Sequence, residues 1–89
     1  MVRLFGRHDV ADFGVWRKGY DANSAIRDEN GVTEAGVFVS VDDGNDVTVY
    51  HDFDSVESAN AFASNPDLKA LMGEIGVVGA PTIWITQEG

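Results

Sequence analysis

Two runs of alternating residues, 33–41 (TEAGVFVSV) and 47–53 (VTVYHDF), flank the polar pentapeptide DDGND. No other feature constrains the fold as tightly. Side chains of a strand point alternately to its two faces, so the pair predicts a β-hairpin with Val37, Val39, Val41, Val47 and Val49 on one side. Phe38, Ser40, Thr48, Tyr50 and Asp52 then fall on the other. Asp, Asn and Gly suit a tight connection, and Gly44 is expected to supply its positive φ.

The flanking segments extend this sheet and cover it. Residues 2–8 (VRLFGRH) alternate weakly and read as a first strand, and 82–87 (TIWITQ) as the last. Residues 76–81 (GVVGAP) read as a loop because of their glycines and Pro81. Ahead of the hairpin, Phe13, Trp16 and Tyr20 recur at i, i+3 and i+7, and Val15, Gly19, Ala22 and Ile26 widen the same apolar side. That pattern predicts one helix, capped by Asp9 or Asp12 and ended by Asn30-Gly31. Ser55 is placed to cap a second helix with the stripe Val56, Ala59, Phe62 and Ala63. Pro66 opens a further helical turn that continues through 67–75. The order β-α-β-β-α-β is α+β and ferredoxin-like: a split βαβ, with one antiparallel four-stranded sheet and helices on one face. Residues 1–89 are expected to form a single domain of this kind.

The two faces of such a sheet differ. Ile83 and Ile85 join the valines on an aliphatic face suited to burial under helices. Phe5, Phe38, Tyr50 and Trp84 share the other with Arg3, Arg7, Ser40, Thr48, Asp52 and Thr86. Nothing in the chain is left to cover those aromatics, and an exposed aromatic patch commonly marks an interface. A homodimer with the two sheets face to face is the expectation.

Composition narrows the partners. The chain has 15 acidic and 6 basic residues, a net charge of −9. Nucleic acid is not expected as a partner, because phosphate contacts need clustered Lys and Arg. Asp outnumbers Glu ten to five, and Lys18 and Lys69 are the lysines. The bias resembles that of proteins from salt-loving archaea, where molar salt screens such self-repulsion. There is no cysteine, so a reducing cytoplasm is the simplest setting. No apolar run approaches the roughly 20 residues of a membrane span, and no secretory signal is visible.

Three stretches carry a family resemblance: RHDVADFGVW, FDSVESANAFASNPDLKALM and IGVVGAPTIWI. A strand ending in His leads into D-[FY]-x-x-W. An aromatic closes strand three before an [ED]-x-A-x-x-F helix, a small-polar break and L-x-x-x-M. Over nearly its whole length the chain resembles the dimeric α+β barrel superfamily, and most of all small proteins related to the antibiotic-biosynthesis monooxygenases. The resemblance implies a pocket between sheet and helices in each protomer. Haem-degrading relatives carry an Asn ending strand one, a Trp closing strand three and a haem-ligating His in the later helix. His8, Phe53 and the stretch Ala70 to Met72 stand at the matching places here, so no haem is expected. Quinone-forming relatives oxidise polyphenols without metal or flavin, using Trp, Asn, Tyr or Arg. Trp16, Tyr20 and Arg27 are such residues on the first helix.

In that arrangement Val49, His51 and Phe53 face the helices, which brings His51 toward the space of His8. Trp16 and Tyr20 form the helical wall. The expected site is therefore a small apolar cleft lined by His8, Trp16, Tyr20, His51 and Phe53, fit for a small-molecule ligand. His8 or His51 could act as a general base toward a phenol or a carbon next to a carbonyl. Metal binding is disfavoured, because Asp9 and Asp52 point away from the neighbouring histidines. No cofactor is expected. Either His could instead serve local hydrogen bonding, Phe13, Trp16 and Tyr20 could be ordinary core, and Arg27 reads as a surface or salt-bridging residue near a helix end. The functional expectation is a cofactor-independent monooxygenase- or isomerase-like enzyme on a small aromatic or polyketide-like substrate. Its rival is a non-catalytic dimeric ligand-binding or stress-related module.

Overall fold

The computed structural model describes all residues, Met1–Gly89. Strands β1 (Val2–Val10), β2 (Glu34–Val39), β3 (Asp46–Phe53) and β4 (Val77–Gln87) alternate with helices α1 (Phe13–Ala22), α2 (Ser24–Glu29), α3 (Val56–Ala63) and α4 (Pro66–Glu74). The strands form one antiparallel sheet in the order β2-β3-β1-β4. This is the ferredoxin-like architecture, with each helical connection made of two short helices.

Register explains which residues meet. His51 lies opposite Leu4 on β1 and Ala35 on β2, and Leu4 in turn lies opposite Ile85 on β4. That row faces the helices. The next residue along each strand faces away: Tyr50 lies between Gly36 and Phe5, and Phe5 lies opposite Trp84. A Cβ on Gly36 would come within 2.2 Å of the Tyr50 ring, so glycine there lets the tyrosine lie flat across β2. On the helix side Val2, Leu4, Gly6, His8 and Val10 are all buried. The core divides into two clusters. Val2, Leu4, Phe53, Ala59 and Phe62 form one, and Val10, Trp16, Val47 and Val49 the other.

Four local features differ from the sequence expectations. First, the helix from 9 to 30 is two helices broken at Asn23, whose side-chain amide donates to the Gly19 carbonyl at 2.8 Å. Asn competes for backbone groups in this way, which ends α1 although its apolar stripe continues. Second, β1 runs on to Val10, so Asp12 and not Asp9 caps α1, its carboxylate accepting from the Val15 amide at 3.0 Å. Third, residues 77–81 are strand, not loop. Pro81 is tolerated because β4 is an edge strand. The irregularity falls between Arg7 and Asp9, where the β1–β4 register shifts, and Gly79 on β4 takes φ +74. Fourth, Gly44 has no positive φ. The Asp43 carboxylate turns the hairpin by accepting from the Asn45 amide at 2.9 Å.

The N-cap offers a simple check of the energetics. Asp12→Ala is expected to cost about 1 kcal/mol in a urea titration, since it orphans the Val15 amide. An unchanged midpoint would show that water replaces the carboxylate at no cost.

The sheet face opposite the helices carries the expected aromatics. Phe5 stacks on Trp84 with centroids 5.3 Å apart, and Phe38 on Tyr50 at 6.2 Å. The Arg3 guanidinium sits 4.1 Å over the Tyr50 ring and grips Asp52 with two hydrogen bonds of 2.7 and 2.9 Å. Within the chain Phe38 remains 61% and Trp84 42% exposed.

Candidate functional site

A cleft opens on the helix side where the two core clusters fail to meet. Leu4 and Phe62 from one cluster and Trp16 and Val49 from the other form parts of its wall. Gly6 leaves room on its floor, and Leu71, Met72 and Ile75 of the α4 region close one flank. The cleft is open to solvent and has a volume of about 60 Å³. Its lining is mostly apolar, with polar groups supplied by His8, Tyr20, Arg27 and His51.

Those polar groups are held by aromatic packing. Trp16 is buried and stacks on Tyr20, one helical turn later, with centroids 4.9 Å apart. The Tyr20 hydroxyl and His51 Nε2 share a hydrogen bond of 2.9 Å. Behind them the Phe62 ring meets His51 edge-on at 5.3 Å. Arg27 comes back from α2 to lie 3.8 Å over the Tyr20 ring, and its Nη1 donates to the Tyr20 carbonyl at 3.0 Å. His8 rests against Trp16 at 5.6 Å between centroids.

Two imidazole nitrogens in this wall, His8 Nε2 and His51 Nδ1, are buried and have no hydrogen-bond partner. Most buried polar groups are paired, so an orphaned pair beside a cleft calls for an explanation. Burial, with the Arg27 charge adding to it, pushes His51 down to about 4. Burial also lowers His8, with the neighbouring Asp9 opposing it. Burial raises the Tyr20 hydroxyl, against the pull of Arg27. All three groups are therefore neutral at pH 7.

The structure brings His8, His51, Trp16 and Tyr20 to one cleft. The two histidines are not adjacent in it. His51 is opposite Leu4 on β1, four residues from His8, an offset of about 13 Å along a strand. Phe53 is not among the residues lining the cleft; it packs on Phe62 inside the first core cluster. Phe62 lines the cleft in its place. Arg27, read from sequence as a surface residue, belongs to the site. The signal for it was its i+7 spacing from Tyr20, two turns along the helix that the sequence predicts, but its place near that helix's end argued for solvent instead. No three His, Cys, Asp or Glu side chains converge anywhere in the chain. Asp52 is committed to Arg3 on the opposite face.

No family model and no curated protein matches the chain. Solved structures do. A candidate antibiotic biosynthesis monooxygenase from Bordetella bronchiseptica superposes with a TM-score of 0.80 at 13% identity, covering 99% of this chain and 96% of that one. SnoaB, a cofactor-independent oxygenase from Streptomyces nogalater, superposes at 0.73 with 9% identity, covering 99% and 94%. A conserved protein from Methanosarcina mazei does so at 0.68 with 12% identity, covering 99% and 92%. The chain thus has the ferredoxin-like α+β fold of the antibiotic-biosynthesis-monooxygenase-like proteins.

Proposed function

We propose that the protein is a cofactor-independent monooxygenase- or isomerase-like enzyme that takes a small aromatic or polyketide-like molecule into this cleft. The observation that carries the reading is the pair of unpartnered, buried imidazole nitrogens in the wall of an apolar cleft. The fold shared with a cofactor-independent oxygenase supports it, although fold alone does not set function.

The two histidines divide the work. A general base is most effective with a pKa near the working pH. His51, held down to about 4, is a poor proton sink. It instead fixes the Tyr20 hydroxyl, which can then orient a substrate oxygen. His8 is the proton acceptor, with Trp16 packed beside it. Loss of a proton from a phenol or from a carbon next to a carbonyl leaves an electron-rich anion. Returned to another carbon, the proton completes an isomerisation. If O2 meets the anion, one oxygen atom enters the ring and the other leaves as water.

Anthrone tests both branches, since its C10 proton is acidic and O2 converts it to anthraquinone and water. The expected results are faster solvent-deuterium entry at C10 and O2 uptake with anthraquinone formation. His8→Ala should slow both by about 10²–10⁴-fold while anthrone binding stays within about threefold. Binding with neither exchange nor O2 uptake would instead favour the non-catalytic module. That rival gains support from the Tyr20 hydroxyl, which is already committed to His51.

Two further properties belong to the same reading. The exposed aromatic face of the sheet is where a second copy packs, making a homodimer with one cleft per protomer. A reducing, salt-rich cytoplasm suits a cysteine-free chain with net charge −9. No helix is long and apolar enough to cross a membrane.

A further inference from the structure

The chain carries four arginines among 15 acidic residues. Three of them meet a carboxylate: Arg3 with Asp52, Arg7 with Asp46 and Arg17 with Asp21. Arg27 has none, and it is the arginine that lines the cleft. None of the 16 residues lining the cleft is acidic, although acidic residues crowd the rest of the chain. Lys18 and Lys69 are exposed and lie outside it. A cation in a carboxylate-rich protein that no carboxylate neutralises, set in a carboxylate-free cleft, has its counter-charge still to come.

The geometry leaves Arg27 free to receive one. Its guanidinium lies on the Tyr20 ring at 3.8 Å and spends Nη1 on the Tyr20 carbonyl. That stacking and that bond fix the plane. A guanidinium has five N–H donors, so others remain for a bidentate partner, the geometry a carboxylate matches. The residue is half-buried, which places its charge between solvent and the aromatic wall of Trp16 and Tyr20. Its influence on His51 and Tyr20, lowering the pKa of each, shows that its field reaches the polar pair inside.

We propose that Arg27 selects aromatic acids: a flat ring occupies the apolar cleft, and a carboxylate on that ring takes the free edge of the guanidinium. The inference rests on the cleft being the binding site and adds the ligand's charge class to it. It assigns Arg27 a specificity-determining role that a surface salt-bridging residue would not have.

The test is a pair of ligands that differ in charge alone, 1-hydroxy-2-naphthoate and its methyl ester, titrated calorimetrically in 1 M KCl. There the Debye length is about 3 Å, so the acidic surface no longer repels the anion, while a partly buried pair is screened much less. The wild-type protein is expected to bind the acid about tenfold more tightly than the ester. Arg27→Gln should remove that preference by weakening the acid and leaving the ester unchanged, and Arg27→Lys should restore part of it. Equal binding of acid and ester by the wild type overturns the proposal but leaves the cleft as the site. So does an equal loss of both ligands in Arg27→Gln, which would mean that Arg27 only packs on Tyr20. If neither ligand binds, or if Trp16→Ala binds both as the wild type does, the cleft reading itself fails and takes this inference with it. The wild-type comparison decides the matter even if an Arg27 variant does not fold.

Discussion

Phe5→Glu is expected to keep the proposed homodimer apart and leave a folded monomer of 9.6 kDa. Phe5 lies on the central strand β1, on the face away from the helices, stacked on Trp84 and directly opposite Tyr50. A face-to-face pairing of two such sheets is isologous, so each substitution enters the interface twice. Burying an unpaired carboxylate costs several kcal/mol, and two facing each other across the axis repel in addition. Association should therefore weaken by a factor on the order of 10³ or more at the level of the pair. The protomer should keep its fold. Position 5 belongs to no core cluster, and in the separated protomer the new carboxylate lies on the sheet face away from the helices, where water solvates it. Sedimentation velocity at micromolar concentration reads the mass, and circular dichroism reads the fold. Phe5→Leu, which keeps the face apolar, should remain paired. A wild-type protein that sediments as one copy would remove the dimer, and with it the explanation for the exposed aromatics.

That face was legible from alternation alone, and so was its partition into aromatic and aliphatic sides. Period-2 spacing assigns side chains to faces whatever the register. Val47, Val49, Ile83 and Ile85 fall on one side, and Phe5, Phe38, Tyr50 and Trp84 on the other, as the structure has them. What alternation does not carry is distance along a strand. His8 and His51 share a face, and neighbouring strands put them within one cleft, but only the pairing Leu4↔His51 shows them to be offset. Phe53 has the same parity as His51 and so was assigned to the cleft. It lies one step further out, opposite Val2, where α3 covers it. The break at Asn23 was hidden for another reason. Val15, Gly19, Ala22 and Ile26 keep helical spacing straight through it, and a local side-chain bond to Gly19 decides the matter. Arg27, the residue that gives the cleft its charge, was read as a surface residue because it stands near the end of the predicted helix, where a cation suits the dipole. Gly79 and Pro81, which argue for a loop in isolation, are tolerated at the edge of the sheet beside a register shift.

The buried histidines also make the folded state sensitive to acid. In the folded chain His51 titrates at about 4, against an ordinary value of 6.5. Between those two values the unfolded chain binds a proton that the folded chain refuses. Stability rises with pH wherever the unfolded state holds more protons. The full stability is therefore present above pH 6.5 and is lost progressively as pH falls toward 4, by about 3 kcal/mol. His8, lowered by its own burial, adds a loss of the same sign. A second loss begins below the first. Arg3 holds the Asp52 carboxyl, and Arg7 that of Asp46, below the usual carboxylate range, so protonating them releases the folded state only in stronger acid. Urea titrations at fixed protein concentration, from pH 7.5 down to 3, separate the two. His51→Gln can still bond the Tyr20 hydroxyl but does not titrate. It should flatten most of the decline between pH 6.5 and 4 and leave the steeper acid limb in place. If the wild-type midpoint does not move between pH 7 and 4.5, His51 is as easily protonated inside the fold as outside it. The neutral imidazole on which the division of labour between His51 and His8 depends would then be lost.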